Sequence, residues 1–254
     1  MTTPTTPRKT LLFLGATGGV GLSALRRALA ADHTCVALCR TPSKLAALFP
    51  SAAPPANLHL VEGNAHDEAA LAKALLVPSD KSRLVDGIVF SIGAKPTLRG
   101  MDDPTVCEVG MTALLAALRK VRGDGATGAK PLLVAVSSTG ISDAGRDLPL
   151  LMVPLYKLLL ATAHRDKKRM EGLAVKGGEE GLVEWTLIRG SLYTDGPATE
   201  GKVREGMEDV VKGVVESEAV GYTISREDVG KWVFENLIEG DSGKWFGKAA
   251  TLTY

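Results

Sequence analysis

The stretch that decides the fold is TLLFLGATGGVGLSALRRALAA, Thr10–Ala31. The apolar run Leu11–Leu14 predicts a strand, and it passes without a spacer into a turn carrying Gly15, Gly18 and Gly21. The arginine-bearing apolar pattern from Leu22 to Ala31 predicts a helix. Glycine three times at a spacing of three is the chemistry of a backbone that something must approach. Gly15 permits the tight turn, Gly18 lets the main chain come close to a pyrophosphate, and Gly21 allows the helix to pack on the strand. The anion then rests on the free N–H groups of the helix N-terminus. Thr17, Gly19 and Val20 complete the turn. A flexible glycine loop without a ligand is the competing reading.

Working outward, strand-like runs alternate with helical ones. A second strand is read at Thr34–Arg40, followed by a short helix PSKLAALF; a third strand at 57–64, then a helix DEAALAKAL with acidic residues in its first turn. A fourth strand is read at 85–93, a long helix TVCEVGMTALLAALRKV, and a fifth strand at Lys130–Ser138. The strands are continuous apolar runs, the mark of a sheet covered on both faces. The alternation predicts an α/β fold, a Rossmann-type doubly wound parallel sheet. After residue 140 come an apolar segment (Leu148–Ala163), a charged helix (His164–Lys176), a strand EWTLIRG, a helix SREDVGKWVFENLI with Ser225 as N-cap, and a closing strand GKWFGKAATLTY. The reading is a disordered Thr/Pro-rich tail over 1–9 and a single domain over 10–254. Its C-terminal additions lie on the substrate side, mainly at 140–222.

Composition narrows the function classes. The 254 residues carry a net charge of +1, which gives no electrostatic footprint for nucleic acid or an anionic membrane. Three cysteines, Cys35, Cys39 and Cys107, are too few for a disulfide framework or a metal cluster, and no metal site is expected. No secretion signal is read at the N-terminus. Leu148–Ala163 contains Pro154 and Lys157 and falls short of the ~20 apolar residues of a spanning helix. It reads as a buried helix or a substrate lid. The expected setting is the cytoplasm and the expected partner a small molecule; homo-oligomerisation is left open.

The end of the second strand selects the cofactor. An acidic residue there favours the ribose 2′-hydroxyl of NAD; this chain has Arg40, which accommodates a 2′-phosphate, with Ser43 and Lys44 as further contacts. NADP(H) is therefore expected, with Arg40 as a solvated surface residue the alternative. Later strand ends point to the same side of the sheet: Asn64 toward adenine, Ser91, Ile92 and Gly93 along the second ribose, and Ser137, Ser138 and Thr139 where the reacting ring should lie.

Together GATGGVG, Arg40, GNAHD, FSIGA, VSSTG, DKKRMEGL, WTLIRGSLYTDGP and ISREDVGKWV resemble the short-chain dehydrogenase/reductase superfamily. More narrowly, they resemble its atypical NmrA-like and flavin/biliverdin-reductase-like NAD(P)H-binding branch. The resemblance runs from Leu11 to about Leu237. It departs in one place, where Arg189-Gly190-Ser191 stands for an arginine-proline-glycine. The resemblance also implies a serine with Tyr-x-x-x-Lys as the catalytic device. That motif is missing: Tyr156 leads to Leu160, Tyr193 to Pro197 and Tyr222 to Arg226. Aligned on the branch, Lys167 takes the lysine position, at the cofactor ribose, and Ala163 stands where the tyrosine is expected, with His164 beside it. The alternative is that Lys167, Lys168 and Arg169 form a solvated basic face. Candidate catalytic residues are Ser138, Lys167, Tyr156 and His164, and candidate substrate contacts are Tyr156 and Tyr193.

These features predict an NADPH-dependent reductase of a planar apolar acceptor such as a flavin, quinone or aromatic carbonyl. Two alternatives stand beside it: a non-catalytic NADP(H)-sensing module, and an isomerase or cyclase on the same fold.

Overall fold

The strand Thr10–Leu14 (β1) is buried along its whole length and divides its side chains by the two-residue period of a strand. Leu12 and Leu14 enter one apolar cluster with Phe90, Met111, Leu118 and Leu187, while Leu11 and Phe13 enter another with Leu25, Val89, Ile188 and Trp232. A strand wet on neither face belongs in the middle of a sheet, and β1 lies there. The computed structural model describes residues 7–50, 53–94, 96–97, 100–199 and 203–254. Residues 1–6 of the expected tail lie outside them.

After β1 come α1 (Gly19–Ala30), β2 (Thr34–Cys39), α2 (Pro42–Ala46), β3 (Leu58–Glu62), α3 (Glu68–Ala74), β4 (Leu76–Val77), β5 (Asp80–Leu84) and β6 (Gly87–Phe90). Next are β7 (Pro96–Thr97), β8 (Gly100–Met101), α4 (Val106–Gly123), β9 (Leu132–Ser138), α5 (Val153–Leu159), α6 (Ala161–Glu179) and β10 (Glu184–Gly190). The chain ends with β11 (Leu192–Thr194), β12 (Arg204–Asp209), β13 (Val214–Ser217), β14 (Thr223–Ser225), α7 (Arg226–Val233) and β15 (Lys248–Thr253). The main sheet runs β13-β12-β15-β10-β9-β6-β1-β2-β3. From β15 to β3 every pairing is parallel; β12 and β13 are added antiparallel at the far edge. The order reverses between β1 and β6, and the crevice above that point is where ligands of open α/β sheets collect.

The doubly wound sheet is as the apolar runs predict. The late strands β12 and β13 were not legible. The β12–β13 ribbon is rich in charge and its register shifts between Met207 and Glu208. The apolar segment also differs from a buried helix: it is a 3₁₀ turn at Leu150–Met152, then α5, then α6. Leu148 and Tyr156 are buried, but Leu150, Leu151 and Leu158 are 69%, 79% and 81% exposed. No described helix is long and apolar enough to cross a membrane. Burial pushes the thiol of Cys35 up to about 12 and that of Cys107 to about 11, which keeps both protonated.

Two buried polar contacts fix α6 against the sheet. Asp166 accepts from the backbone N–H groups of Cys107 (3.0 Å) and Glu108 (2.8 Å), so a carboxylate of one helix caps the N-terminus of another. Thr105, at the N-cap position of α4, supplies no side-chain bond of its own. Arg189 on β10 forks onto Glu171 of α6 (3.1 and 2.8 Å) and reaches Glu208 of β12 (2.7 Å). Replacing Asp166 by Ala is expected to lower the unfolding free energy by about 1–2 kcal/mol, the scale of a lost helix cap. Urea denaturation of the apo chain measures it.

Candidate active site

The glycine turn sits at the sheet's topological switch point, and its glycines divide into two kinds. At Gly15 (φ +90°) a Cβ would stand 2.7 Å from the carbonyl oxygen of Ser91, and at Gly21 it would stand 2.2 Å from Ser91 Oγ and 2.6 Å from the Gly15 carbonyl oxygen. These two are glycine because β1, α1 and the end of β6 close on one another. Ser91 draws them together: its N–H donates to Leu14 O (2.9 Å), and its hydroxyl donates to Leu14 O (2.9 Å) and Gly15 O (3.4 Å). The Ser91 hydroxyl is thus committed to the turn.

Gly18 is the other kind. Its φ of 179° suits any residue, and a Cβ there meets nothing within 4 Å. The same open space lies over Gly93 at the end of β6. Helix α1 begins directly after Gly18 with no side-chain cap and no acidic residue in its first turn. Free N–H groups, open space over a glycine and no carboxylate in the first turn of α1 fit a dinucleotide pyrophosphate. Thr17, Gly18 and Gly19 are exposed, and Val20 is buried under the turn.

Around the turn, Arg40 directly follows β2, is exposed, and makes no hydrogen bond or ion pair among the described residues. Ser43 and Lys44 are exposed on the first turns of α2, which Pro42 opens. Asn64 is exposed beyond β3, but its Oδ1 accepts from His66 N (3.2 Å), so the side chain is partly spent on the turn into α3.

On the other side of the crevice, Lys167 of α6 is only partly buried. Its Nζ donates to the carbonyls of Ile92 (2.8 Å) and Val136 (2.6 Å), bridging the ends of β6 and β9. It is not part of a solvated face, unlike its neighbours Lys168 and Arg169, which pair with Asp143 and Glu108. Ser138 is half-buried and its hydroxyl makes no hydrogen bond among the described residues; the neighbouring Ser137 Oγ is buried and unpartnered.

The remaining candidates gather over Gly140 (φ +83°), where a Cβ would meet Leu148, Tyr156 and His164 at 2.6, 3.0 and 3.1 Å. Tyr156 and His164 pack edge to face with centroids 5.1 Å apart. The Tyr156 hydroxyl lies 3.5 Å from Thr139 Oγ1, and burial raises its pKa. His164 Nε2 is buried without a partner, and burial lowers its pKa. Sequence reasoning missed Asp147. Its Oδ1 accepts from Gly140 N (2.8 Å), its Oδ2 is buried and unpartnered, and burial pushes its carboxyl upward. Nothing in the local run DAGRD signals this, because the burial comes from the loop folding back on Gly140. Tyr193 stands apart from this group. Its hydroxyl donates to Ser137 O (2.8 Å) and accepts from Gly190 N (3.2 Å), and burial raises its pKa. A cleft of about 280 Å³ opens beside His164, lined by Gly140, Ile141, Arg165 and Lys168.

The two kinds of glycine separate folding from binding. Gly18→Ala is expected to leave the apo melting temperature within a degree or two while weakening dinucleotide binding at least tenfold; Gly21→Ala is expected to lower the melting temperature itself. Thermal melts with and without cofactor distinguish them. A pH dependence follows from His164, whose folded pKa lies below its usual 6.5 because burial penalises the imidazolium. The fold prefers the neutral ring, so this contribution is complete above pH 6.5 and is lost as pH falls through the lower folded value. Urea titrations from pH 7.5 to 5 should show that acid-side loss, and His164→Gln should reduce it.

The chain matches the NAD(P)H-binding family over residues 15–239. It is 40% identical to a reductase, pytE, of Aspergillus terreus, covering 97% of this chain and 98% of that one. It is 34% identical to an oxidase, pynE, of Aspergillus niger, covering 97% and 99%. Among solved structures, a wide-type short-chain dehydrogenase/reductase of Veillonella parvula in complex with NADP superimposes with a TM-score of 0.70 at 15% identity, covering 97% of this chain and 94% of that one. The anaerobilin reductase ChuY of Escherichia coli O157:H7 gives 0.63 at 20%, covering 96% and 95%. At these identities the solved structures speak for the fold alone. The sequence matches reach further: with an open glycine turn at the switch point of a parallel sheet, this chain belongs to the NAD(P)H-binding family of Rossmann-fold oxidoreductases.

Proposed function

We propose that this chain is an NADPH-dependent reductase of a small, planar, apolar acceptor, working in the cytoplasm without a Tyr-x-x-x-Lys device. The observation that carries the reading is Lys167. Its ammonium is held by the Ile92 and Val136 carbonyls at the ends of β6 and β9, beside Ser138 and across the crevice from the open Gly18. NADPH, when bound, supplies a hydride from C4 of its nicotinamide.

The chain's residues divide the remaining work. Gly15, Thr17 and the Gly18–Gly21 turn hold the pyrophosphate. Arg40, with Ser43 and Lys44, takes the 2′-phosphate, and Asn64 faces the adenine. Ile92 and Gly93 flank the second ribose, and Lys167 has one N–H left for a ribose hydroxyl after its two carbonyls. Ser137 and Ser138 border the nicotinamide, and the Ser138 hydroxyl donates to the acceptor oxygen as charge develops on it. The proton comes from water or from the Tyr156–His164 pair. A quinone or flavin tolerates that arrangement, because its reduced form is protonated readily from solvent. Exposed Leu150, Leu151 and Leu158 on the segment that buries Tyr156 offer the apolar surface such an acceptor needs. Tyr193, whose hydroxyl donates to the Ser137 carbonyl, offers its ring to the substrate. The relatives named reductase and oxidase agree on redox chemistry and differ in its direction.

The test is NADPH oxidation followed at 340 nm with a panel of flavins, quinones and aromatic carbonyls. Turnover with at least one class is expected. NADPH should bind at least tenfold more tightly than NADH, and Arg40→Glu should abolish the difference. Equal affinities in the wild-type chain would contradict the 2′-phosphate assignment. Tight binding without turnover on any acceptor would contradict the reductase and favour the sensing module.

A further inference from the structure

We propose that Arg226, the first residue of α7, is a pyrophosphate-binding residue of the cofactor site, and that Asp195 occupies its guanidinium when the dinucleotide is absent. Arg226 lies against the glycine turn: a Cβ on Gly19, the first residue of α1, would stand 3.0 Å from Arg226 Cδ and 3.7 Å from its Nε. A guanidinium is thereby brought to the uncapped N-terminus of α1, beside the open space over Gly18.

The placement is built into the packing of α7 on α1. A Cβ at Gly230 would come within 2.3 Å of Ser23 Oγ and 2.9 Å of Val20 O, so α7 approaches α1 as closely as a glycine allows. The Ser23 hydroxyl donates to Glu227 O (3.0 Å), and Arg27 pairs with Glu227 (2.6 Å). Ser225 caps α7 by accepting from Asp228 N (3.0 Å), and the Asp228 carboxylate in turn accepts from Thr199 and Tyr254. Residue 226 therefore has little freedom to leave the turn.

The side chain's own contacts leave it available. Its Nη1 donates to Asp195 Oδ1 (2.9 Å) and Tyr193 O (3.4 Å), and its guanidinium lies 5.7 Å from the Tyr193 ring centroid. Nε and Nη2 make no hydrogen bond among the described residues. The Asp195 side chain is 93% exposed, and an ion pair that wet adds little. A diphosphate offers a guanidinium two charged oxygens in a matching fork, a stronger partner. The other arginines nearest the turn are engaged elsewhere, Arg27 with Glu227 and Arg26 with the Leu48 carbonyl. Arg40 stands at the end of β2, where a 2′-phosphate is read. The two arginines thus have separable tasks: Arg40 discriminates between cofactors, and Arg226 binds what they share.

The proposal rests on the pyrophosphate lying over the glycine turn, and not on the chain being a reductase, so the test reads binding. NADPH, NADH and 2′-AMP are titrated by calorimetry into the wild-type chain, Arg226→Gln and Asp195→Asn, with apo thermal melts as the folding control. Arg226→Gln should weaken NADPH and NADH by the same factor, about tenfold, leaving their ratio and the affinity for 2′-AMP unchanged. Asp195→Asn should bind NADPH as tightly as the wild-type chain or up to ~3-fold more tightly, since a competing carboxylate is gone. The proposal is overturned if Arg226→Gln binds both dinucleotides within twofold of wild type, if it changes their ratio, or if Asp195→Asn weakens binding as much as Arg226→Gln does. Should Arg226→Gln fail to fold, Asp195→Asn decides: weaker binding contradicts the proposal and equal or tighter binding supports it. A wild-type chain that binds neither dinucleotide would instead remove the placement on which the proposal rests.

Discussion

The contact on which the site depends is the closure of Ser91 on Gly15 and Gly21. One serine at the end of β6 bonds the last carbonyl of β1 with both its N–H and its hydroxyl, and it leaves no room for a Cβ at either glycine. This fixes the turn, aims the N-terminus of α1 into the crevice, and leaves Gly18 as the point where an anion can approach. The consequence is chemical: helix N–H groups that the protein does not satisfy are left for a ligand.

The other half of the site is held by buried charge. Asp166 caps α4 from α6, and Arg189 ties α6 to β10 and β12 through Glu171 and Glu208. These contacts orient α6 so that Lys167 reaches the ends of β6 and β9. Such a network is costly to desolvate, and removing one partner leaves the others as unpaired buried charges. Its use here is geometric: it sets α6, which carries Lys167 and His164, against α4, β10 and β12.

Much of this was legible in the sequence. β1, the turn and α1 could be read because strand, glycine and helix signals adjoin without a spacer, and the end of β10 because EWTLIRG is a continuous run bounded by glycine. Ser225 was readable as an N-cap because Glu227 and Asp228 follow in the first turn. The β12–β13 ribbon was not, since its charged residues carry no apolar period. Nor was the closure of Ser91 on the turn, because its partners, Leu14 and Gly15, are far away in sequence. Asp147 and Arg226 were unreadable as site residues for the same reason: burial of the first comes from a loop folding onto Gly140, and placement of the second from the α1–α7 contact. In each case the local sequence supplies the residue type and only the tertiary fold supplies its neighbour.

If the chain works as proposed, the dinucleotide bound at the glycine turn shares one crevice with Lys167, Ser138 and the Tyr156–His164 pair. A crystal structure of the chain with NADP⁺ bound tests it most directly. The diphosphate is expected over Gly18, the 2′-phosphate on Arg40, and the nicotinamide beside Ser138 with its ribose at Lys167. A nicotinamide lying away from the end of β9, or a diphosphate that does not touch the N-terminus of α1, would contradict it.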